Sequence, residues 1–247
     1  MARGQGEKKR KSALYAPVTF VVICAVLVFA MSVFFRVSSI EVVGNEKYTA
    51  EEVILAAGIE EGDNLFFINR FNAISRLFSR LPYVEKAAIS RSLPNKLLIE
   101  VTESDAVAYL TAEDGLWSVD RSCKLLSRIS TEDAEELVEV IGLTPVSPEV
   151  GQTLAVSEGE TTKVAFLSTI LNQIVYLKMT NDIEQIDMSN VANPTFDYLG
   201  RFTVKLGNNE DVAYKFQVLI SAAAQLKNGD AGYIDLSIDG RAHFSYY

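Results

Sequence analysis

The stretch Val18-Thr19-Phe20-Val21-Val22-Ile23-Cys24-Ala25-Val26-Leu27-Val28-Phe29-Ala30, continued through Met31 to Phe35, decides which solvent the rest of the chain meets. No charged residue occurs from Ser12 to Phe35, and at about 1.5 Å per helical residue such a run crosses a hydrocarbon layer of about 30 Å. Residues 12–35 therefore read as a transmembrane helix. Lys8, Lys9, Arg10 and Lys11 stand just before it, with Arg3 upstream, and excess positive charge keeps a terminus in the cytoplasm. Residues 1–11 form a basic cytoplasmic tail in this reading, and everything after Phe35 lies outside. A cleaved signal peptide is the competing reading, because a basic segment precedes the apolar run and Val28-Phe29-Ala30 offers a small-residue cleavage site. The run stays apolar beyond that site as far as Arg36, which favours an uncleaved anchor. Thr19, Cys24 and Ser32 are its polar members, and none is an ionisable group of the kind that marks an ion pathway.

The charge of the chain is divided by this segment. Met1 to Phe35 carries five Lys/Arg against Glu7, a net +4, so the formal total of −9 leaves −13 on the remainder. A region so acidic is a poor partner for phosphate backbones, which excludes nucleic acid. The exported part is long enough for one large or two small domains, each with its own core. Cys24 and Cys123 cannot bridge if one lies in lipid and the other in a folded domain. His243 is the single histidine, which removes the usual metal clusters and histidine-based catalytic sets; it is expected as a partly exposed strand residue.

Beyond the helix the pattern reads strand, helix, helix, strand, strand. Val37 to Val43 has strand composition and ends at Gly44-Asn45. Thr49-Ala50-Glu51-Glu52 fits a capping box, and the helix it opens is expected to stop at Gly58 in a left-handed position. Phe71, Ile74, Leu77 and Phe78 repeat at three and four, the spacing of one helix face, before Pro82. Tyr83 to Arg91 and Lys96 to Thr102 form a hairpin around Leu93-Pro94-Asn95, the second strand alternating through Leu97, Ile99 and Val101. This order predicts an α+β layer with both helices on one face of a three-stranded sheet.

Several segments together carry a family resemblance: Val42-Val43-Gly44-Asn45, Gly58 through Gly62 to Asn64-Leu65-Phe66, Leu81-Pro82-Tyr83-Val84, and Arg91-Ser92-Leu93-Pro94-Asn95-Lys96-Leu97 on to Glu103. In that order, directly after one membrane helix, they resemble the POTRA domain of the bacterial cell-division family FtsQ/DivIB. The domain is expected over residues 36–106, as a single copy without internal repeat. The family commonly has Pro near Ala106 and Trp near Tyr109, and this chain departs from both.

Residues 107–247 read as a second, mixed β domain with two helices and a C-terminal hairpin. Strands are expected at 107–111, 116–119, 124–126, 137–142, 183–188 and 202–206. A helix over 161–177 places Val164, Leu167, Ser168, Leu171, Ile174 and Val175 on one face. A second helix is expected to be capped by Asp211, to bury Val212, Phe216, Leu219 and Ala223, and to end just before Gly229. Tyr233 to Ile238 and His243 to Tyr247 flank Asp239-Gly240, a hairpin signal. Asp235, inside an otherwise apolar run, is expected on the solvent side of that strand. The region resembles the family's β domain, although Cys123 and Val138 stand where the family often has Gly and Pro.

No phosphate loop, nucleophile elbow, Ser-x-x-Lys pair or His-Glu-x-x-His motif is present. The acid pairs Glu51-Glu52, Glu60-Glu61, Glu132-Asp133 and Glu135-Glu136 fit solvated helix starts and turns better than a glycosidase pair. No cofactor, metal or small-molecule substrate is expected. What the resemblance implies is a non-catalytic, membrane-anchored scaffold of the divisome, lying in the lipid bilayer at the septum. Its implied partners are coiled-coil division proteins like FtsB/DivIC and FtsL, bound by strand addition at the end of the β domain. The residues implied in that contact are Tyr233, Leu236, Ser237, Ile238, Asp239, Gly240, Phe244, Tyr246 and Tyr247, about half of which alternation assigns to the core instead. The alternative is a membrane-anchored cell-wall enzyme or solute-binding receptor.

Overall fold

The computed structural model describes residues 8–238 and 240–247; the tail with Arg3 and the turn residue Asp239 lie outside the described residues. Helix α1 (Lys8–Phe34) contains an apolar window, Pro17–Phe34, of which nothing is buried. Eighteen residues rise about 27 Å, so this helix is long and apolar enough to cross a membrane. Both cysteines are free.

The described residues divide into two compact units, one holding those up to 78 together with 86–103 and the other 79–85 together with those from 104 on. The first holds the expected order, β1 (Ser39–Val43), α2 (Ala50–Ala57), α3 (Arg70–Arg80), β2 (Val84–Ser92) and β3 (Lys96–Glu103), with the sheet ordered β1-β3-β2. β1 runs parallel to β3, pairing Ile40 with Leu97 and Val42 with Ile99. Such a pairing needs a long crossover, which α2, α3 and β2 supply. Leu97, Ile99 and Val101 alternate into the core, where Val53, Ala57, Leu65 and Leu77 are buried as well. The capping box of α2 is formed: the Thr49 hydroxyl accepts from the Glu52 amide (3.2 Å), and the Glu52 carboxylate accepts from the Thr49 amide (2.8 Å). That bond holds the Glu52 carboxyl below its ordinary range. Less visible in sequence is Glu103, whose carboxylate gathers the amides of Glu46, Lys47 and Tyr48 at 2.5–3.2 Å and fixes the turn after β1.

The second unit is one nine-stranded sheet backed by helices. Its elements are β4 (Ala108–Ala112), β5 (Gly115–Val119), β6 (Leu125–Ile129), α4 (Thr131–Ala134), β7 (Val138–Ile141), α5 (Thr161–Tyr176), β8 (Gln185–Asp187), β9 (Thr195–Tyr198), β10 (Phe202–Lys205), α6 (Val212–Ala223), β11 (Gly232–Asp235) and β12 (His243–Tyr246). The order is β12-β11-β10-β9-β8-β7-β4-β5-β6. Leu110, Val138, Val140, Ile186, Phe196, Val204 and Ile234 point into a core completed by α5 and α6, where Phe196 stacks on Phe216 at 5.5 Å. The turn after β5 is organised by buried Asp120, which accepts from the Ser122 amide (2.8 Å), the Lys124 amide (2.9 Å) and the Ser104 hydroxyl (2.9 Å). Cys123 in that turn is left-handed (φ 63°), the backbone form that glycine adopts most readily, and burial pushes its thiol up to about 12.

Several expectations need correction. In α3 the three-four stripe is only partly internal: Ala73 and Leu77 are buried, whereas Phe71 is 79% exposed and Phe78 is also exposed. In α5 the buried set is Phe166, Leu167, Ile170, Leu171 and Ile174, because the helix packs over a broader arc than one stripe. Asp211 precedes α6 but is left-handed (φ 50°) and makes no side-chain cap bond; Gly229 lies six residues beyond the helix end rather than at it. The four-residue β9 was not anticipated, being too short to show a period.

Gly58 closes α2 at φ 64°, its amide donating to the Ile54 and Leu55 carbonyls. A Cβ there would stand 2.4 Å from Nη1 of Arg76, which donates to the Ala57 and Gly58 carbonyls. Gly58→Val is expected to destabilise the first unit by about 1–2 kcal/mol. Denaturant unfolding checks this, and an unchanged midpoint contradicts the helix end placed here.

Candidate partner-binding edge

β12 is a terminal strand of the large sheet, and its geometry follows from the strand beneath it. β11 pairs with β10 in parallel and with β12 antiparallel, in the register Gly232–Tyr246, Tyr233–Ser245, Ile234–Phe244 and Asp235–His243. The Gly232 amide donates to the Arg201 carbonyl (3.1 Å) and the Leu236 amide to the Lys205 carbonyl (2.8 Å). Even-numbered residues of β11 therefore turn their backbone groups toward β10, and by alternation Tyr233 and Asp235 turn theirs toward β12. Ser245 and His243 are consequently the inward-bonded residues of β12. Phe244 and Tyr246 direct their amides and carbonyls to the free side. At the opposite end of the sheet, β6 is partly covered: the Leu125 amide donates to Gln152 and its carbonyl accepts from Gly151.

Gly232 allows the close approach of the last two strands, since a Cβ there would lie 2.1 Å from the Ser245 carbonyl oxygen. A lone glycine at the start of a strand run was the only sequence signal for it.

The named residues separate by face. Leu236 is 1% exposed and belongs to the core, with its amide bonded to β10, so it is withdrawn as a contact residue. Its strand ends at Asp235, and Ser237 and Ile238 are exposed loop residues. The Ser237 amide donates to the Asp235 carboxylate (2.9 Å) and its hydroxyl does so at 2.6 Å. Burial raises the Asp235 carboxyl, but these bonds, with Lys205 and His243 nearby, lower it further, so the net shift is downward. Gly240 is half-buried, and Asp239 lies outside the described residues. Phe244 is half-buried on the core side, edge-on to buried Phe202 (6.1 Å) and to Tyr246 (4.9 Å). Tyr246 is 68% exposed, and its hydroxyl donates to Asp230 (3.3 Å), whose charge raises the phenol's pKa. On the other face Tyr233 packs edge-on to Tyr247 (5.0 Å), the Lys205 ammonium sits 5.0 Å over the Tyr233 ring, and the Thr203 and Tyr247 hydroxyls are 3.0 Å apart. His243 is exposed and Asp235 half-buried, on this same face.

The same polar face of the sheet continues into an open cavity of about 1110 Å³ lined by Glu135, Glu136, Glu139, Glu184, Asp187 and Asp197 among others. Three of these carboxylates serve the fold: Asp197 accepts from the Gln185 amide (2.6 Å), Asp187 from the Ser189 amide (2.7 Å) and Glu139 from the Gln185 side chain (2.6 Å). Among the described residues no group of three or more His, Cys, Asp or Glu is placed to hold a metal ion.

A family model for the FtsQ-type POTRA domain matches residues 35–104. The cell-division protein DivIB of Clostridium botulinum (strain Hall) is 27% identical over 246 residues, covering 96% of this chain and 93% of the relative. The chain is similar over most of its length to cell-division proteins of the FtsQ/DivIB family. DivIB of Bacillus subtilis (strain 168) is 31% identical over 116 residues, 47% of this chain and 44% of that one. FtsQ of Corynebacterium glutamicum is 25% identical over 202 residues, covering 78% and 82%. The POTRA match falls on the β1-to-β3 layer, and the long alignment extends the likeness over the nine-stranded unit that ends in β12.

Phe244→Ala removes a ring shared between Phe202 and Tyr246. It is expected to lower stability by about 2 kcal/mol, less than the loss of a fully buried Phe, and thermal unfolding checks this. An unchanged midpoint would place the ring outside the core contact described.

Proposed function

We propose that this cell-division protein is a non-catalytic scaffold, anchored by α1 with its N-terminus in the cytoplasm and its two folded units outside. At the septum it receives a strand from a small bitopic coiled-coil partner of the FtsB/DivIC or FtsL type. The observation that carries the proposal is the outward aim of the Phe244 and Tyr246 backbone groups on a terminal strand. An added strand draws affinity from ladder hydrogen bonds and specificity from side chains alongside. Tyr246 and Tyr247 supply large, semi-rigid rings beside that edge, the type of residue that dominates many interfaces. The exposed Ile238 lies in the loop joining β11 to β12. Lys8 to Lys11, at the start of α1, support the orientation.

The register selects the test. Proline at Ser245 would break a ladder bond to β11, and at Ser237 it would remove the donor held by Asp235. At Tyr246 it removes a donor that faces outward, which an edge strand tolerates. Tyr246→Pro is expected to reduce binding of a purified FtsB/DivIC-like partner at least about tenfold while the thermal midpoint stays within a few degrees. Tyr246→Ala, which keeps the donor, should lose less. Parental affinity in a folded Tyr246→Pro variant would overturn strand addition at β12.

A further inference from the structure

The first unit carries exposed apolar side chains, on segments near the end of α1, that neither its core nor strand addition at β12 uses. Asn64 donates from its side chain to the Met31 carbonyl (3.0 Å) and the Ser32 carbonyl (3.5 Å), satisfying acceptors that a helix terminus leaves open. The backbone ties the same loop to the exit of the helix: the Leu65 amide donates to Phe35, the Val37 amide to Asp63, and the Gly62 amide to Val37, at 2.8–2.9 Å. Phe66 packs edge-on against Phe35 at 4.9 Å. The loop 62–67 is thus fastened to the last turn of α1, and its position relative to that helix is set by hydrogen bonds rather than by a free linker.

Phe67 closes a turn on Asn64, its amide donating to the Asn64 carbonyl, so the two Cα atoms are within about 7 Å. Phe71 follows four residues later, in the first turn of α3. Phe67 is 76% and Phe71 79% exposed. Leu93, 62% exposed, belongs to the turn whose Asn95 carbonyl accepts from the Ser38 amide, four residues after the end of α1. Basic side chains stand among these residues. Arg36 and Arg70 are exposed, Lys96 is exposed at the start of β3, and the Arg91 guanidinium lies 5.4 Å over the Phe66 ring. The Arg91 Nη2 donates to the Phe66 carbonyl (3.5 Å), while its Nε is buried with no hydrogen-bond partner among the described residues. Asp63, the acid of this loop, turns its carboxylate to the Glu60 amide (3.1 Å).

We infer that this end of the POTRA domain docks onto the outer leaflet of the bilayer that α1 crosses, with Phe66, Phe67, Phe71 and Leu93 entering the acyl boundary and Arg36, Arg70, Arg91 and Lys96 meeting lipid phosphates. The headgroup layer on each side of the hydrocarbon is only about 5–8 Å thick, so side chains fastened this close to the helix exit meet it without any rearrangement. Apolar rings flanked by Arg and Lys are the composition that binds a membrane interface. The long stems of the cations reach outward to phosphate while their methylenes cover apolar surface. Phe71, misplaced by its helical spacing as a core residue, has in this account a non-aqueous neighbour of its own.

The inference rests on α1 spanning the bilayer, and the test separates the two. Full-length protein is reconstituted in phosphatidylglycerol/phosphatidylcholine vesicles containing acyl-brominated lipid, which quenches tryptophan on contact. Trp117, the chain's single and buried tryptophan, supplies the background. Single variants add a second: Phe67→Trp, Phe71→Trp, Val26→Trp within the apolar window of α1, and Glu46→Trp beyond the far end of β1. Phe67→Trp and Phe71→Trp are expected to lose about half of the added emission, Val26→Trp at least as much, and Glu46→Trp almost none. If Val26→Trp is quenched while positions 67 and 71 behave like Glu46→Trp, the docking is wrong and the span stands. If Val26→Trp is not quenched, the span fails and the docking fails with it.

Discussion

The ladder between β11 and β12 constrains this protein more than any other single contact. Each strand residue carries one donor and one acceptor, and in a ladder successive residues turn them to opposite sides. The parallel bonds from Gly232 and Leu236 to β10 commit one set of β11 groups, which leaves Tyr233 and Asp235 for β12. From that point nothing in the sheet remains to take up Phe244 and Tyr246. A sheet end with unpaired groups is a liability in a protein without partners. In the scaffold proposed for this chain it is the place where a partner strand adds. Gly232 makes the arrangement possible, because any side chain there would collide with the Ser245 carbonyl.

The first unit works by a different economy. Its sheet is small, its core is narrow, and much of its order comes from polar groups that hold backbone: Glu103 on the turn after β1, Glu52 and Thr49 at the start of α2, Asn64 at the end of α1. The last of these joins the long apolar helix to a folded domain without a flexible spacer. Exposed phenylalanines beside such a junction would be costly in water and are favourable at an interface.

Much of this was legible in the sequence where a local rule had one solution. Thr49-Ala50-Glu51-Glu52 and Gly58 bracket α2 because capping chemistry and left-handed geometry are read from residue type alone. Leu97, Ile99 and Val101 gave β3 its inward face for the same reason. Phe71 shows where that reading ends: spacing identifies a helix face but not the medium it meets. Asp211 has the right side chain for a cap and the wrong backbone for it. The Asp239-Gly240 signal located the closing hairpin, yet Leu236 turned out to be core, because which residues of a short strand face inward depends on a register set by β10, thirty residues earlier. Asp120 carries no local signal of its role as a buried acceptor, which needs Ser104, sixteen residues earlier, to be brought beside it.

In the proposed function β12 accepts a strand through the backbone of Phe244 and Tyr246. Residue-resolved amide hydrogen exchange on the full-length protein in lipid nanodiscs, with and without a saturating coiled-coil division partner, measures it most directly. The account predicts that exchange at the Phe244 and Tyr246 amides slows at least about tenfold on binding, while His243 and Ser245, already bonded to β11, change little. Unaltered exchange at both Phe244 and Tyr246 in the saturated complex would contradict it.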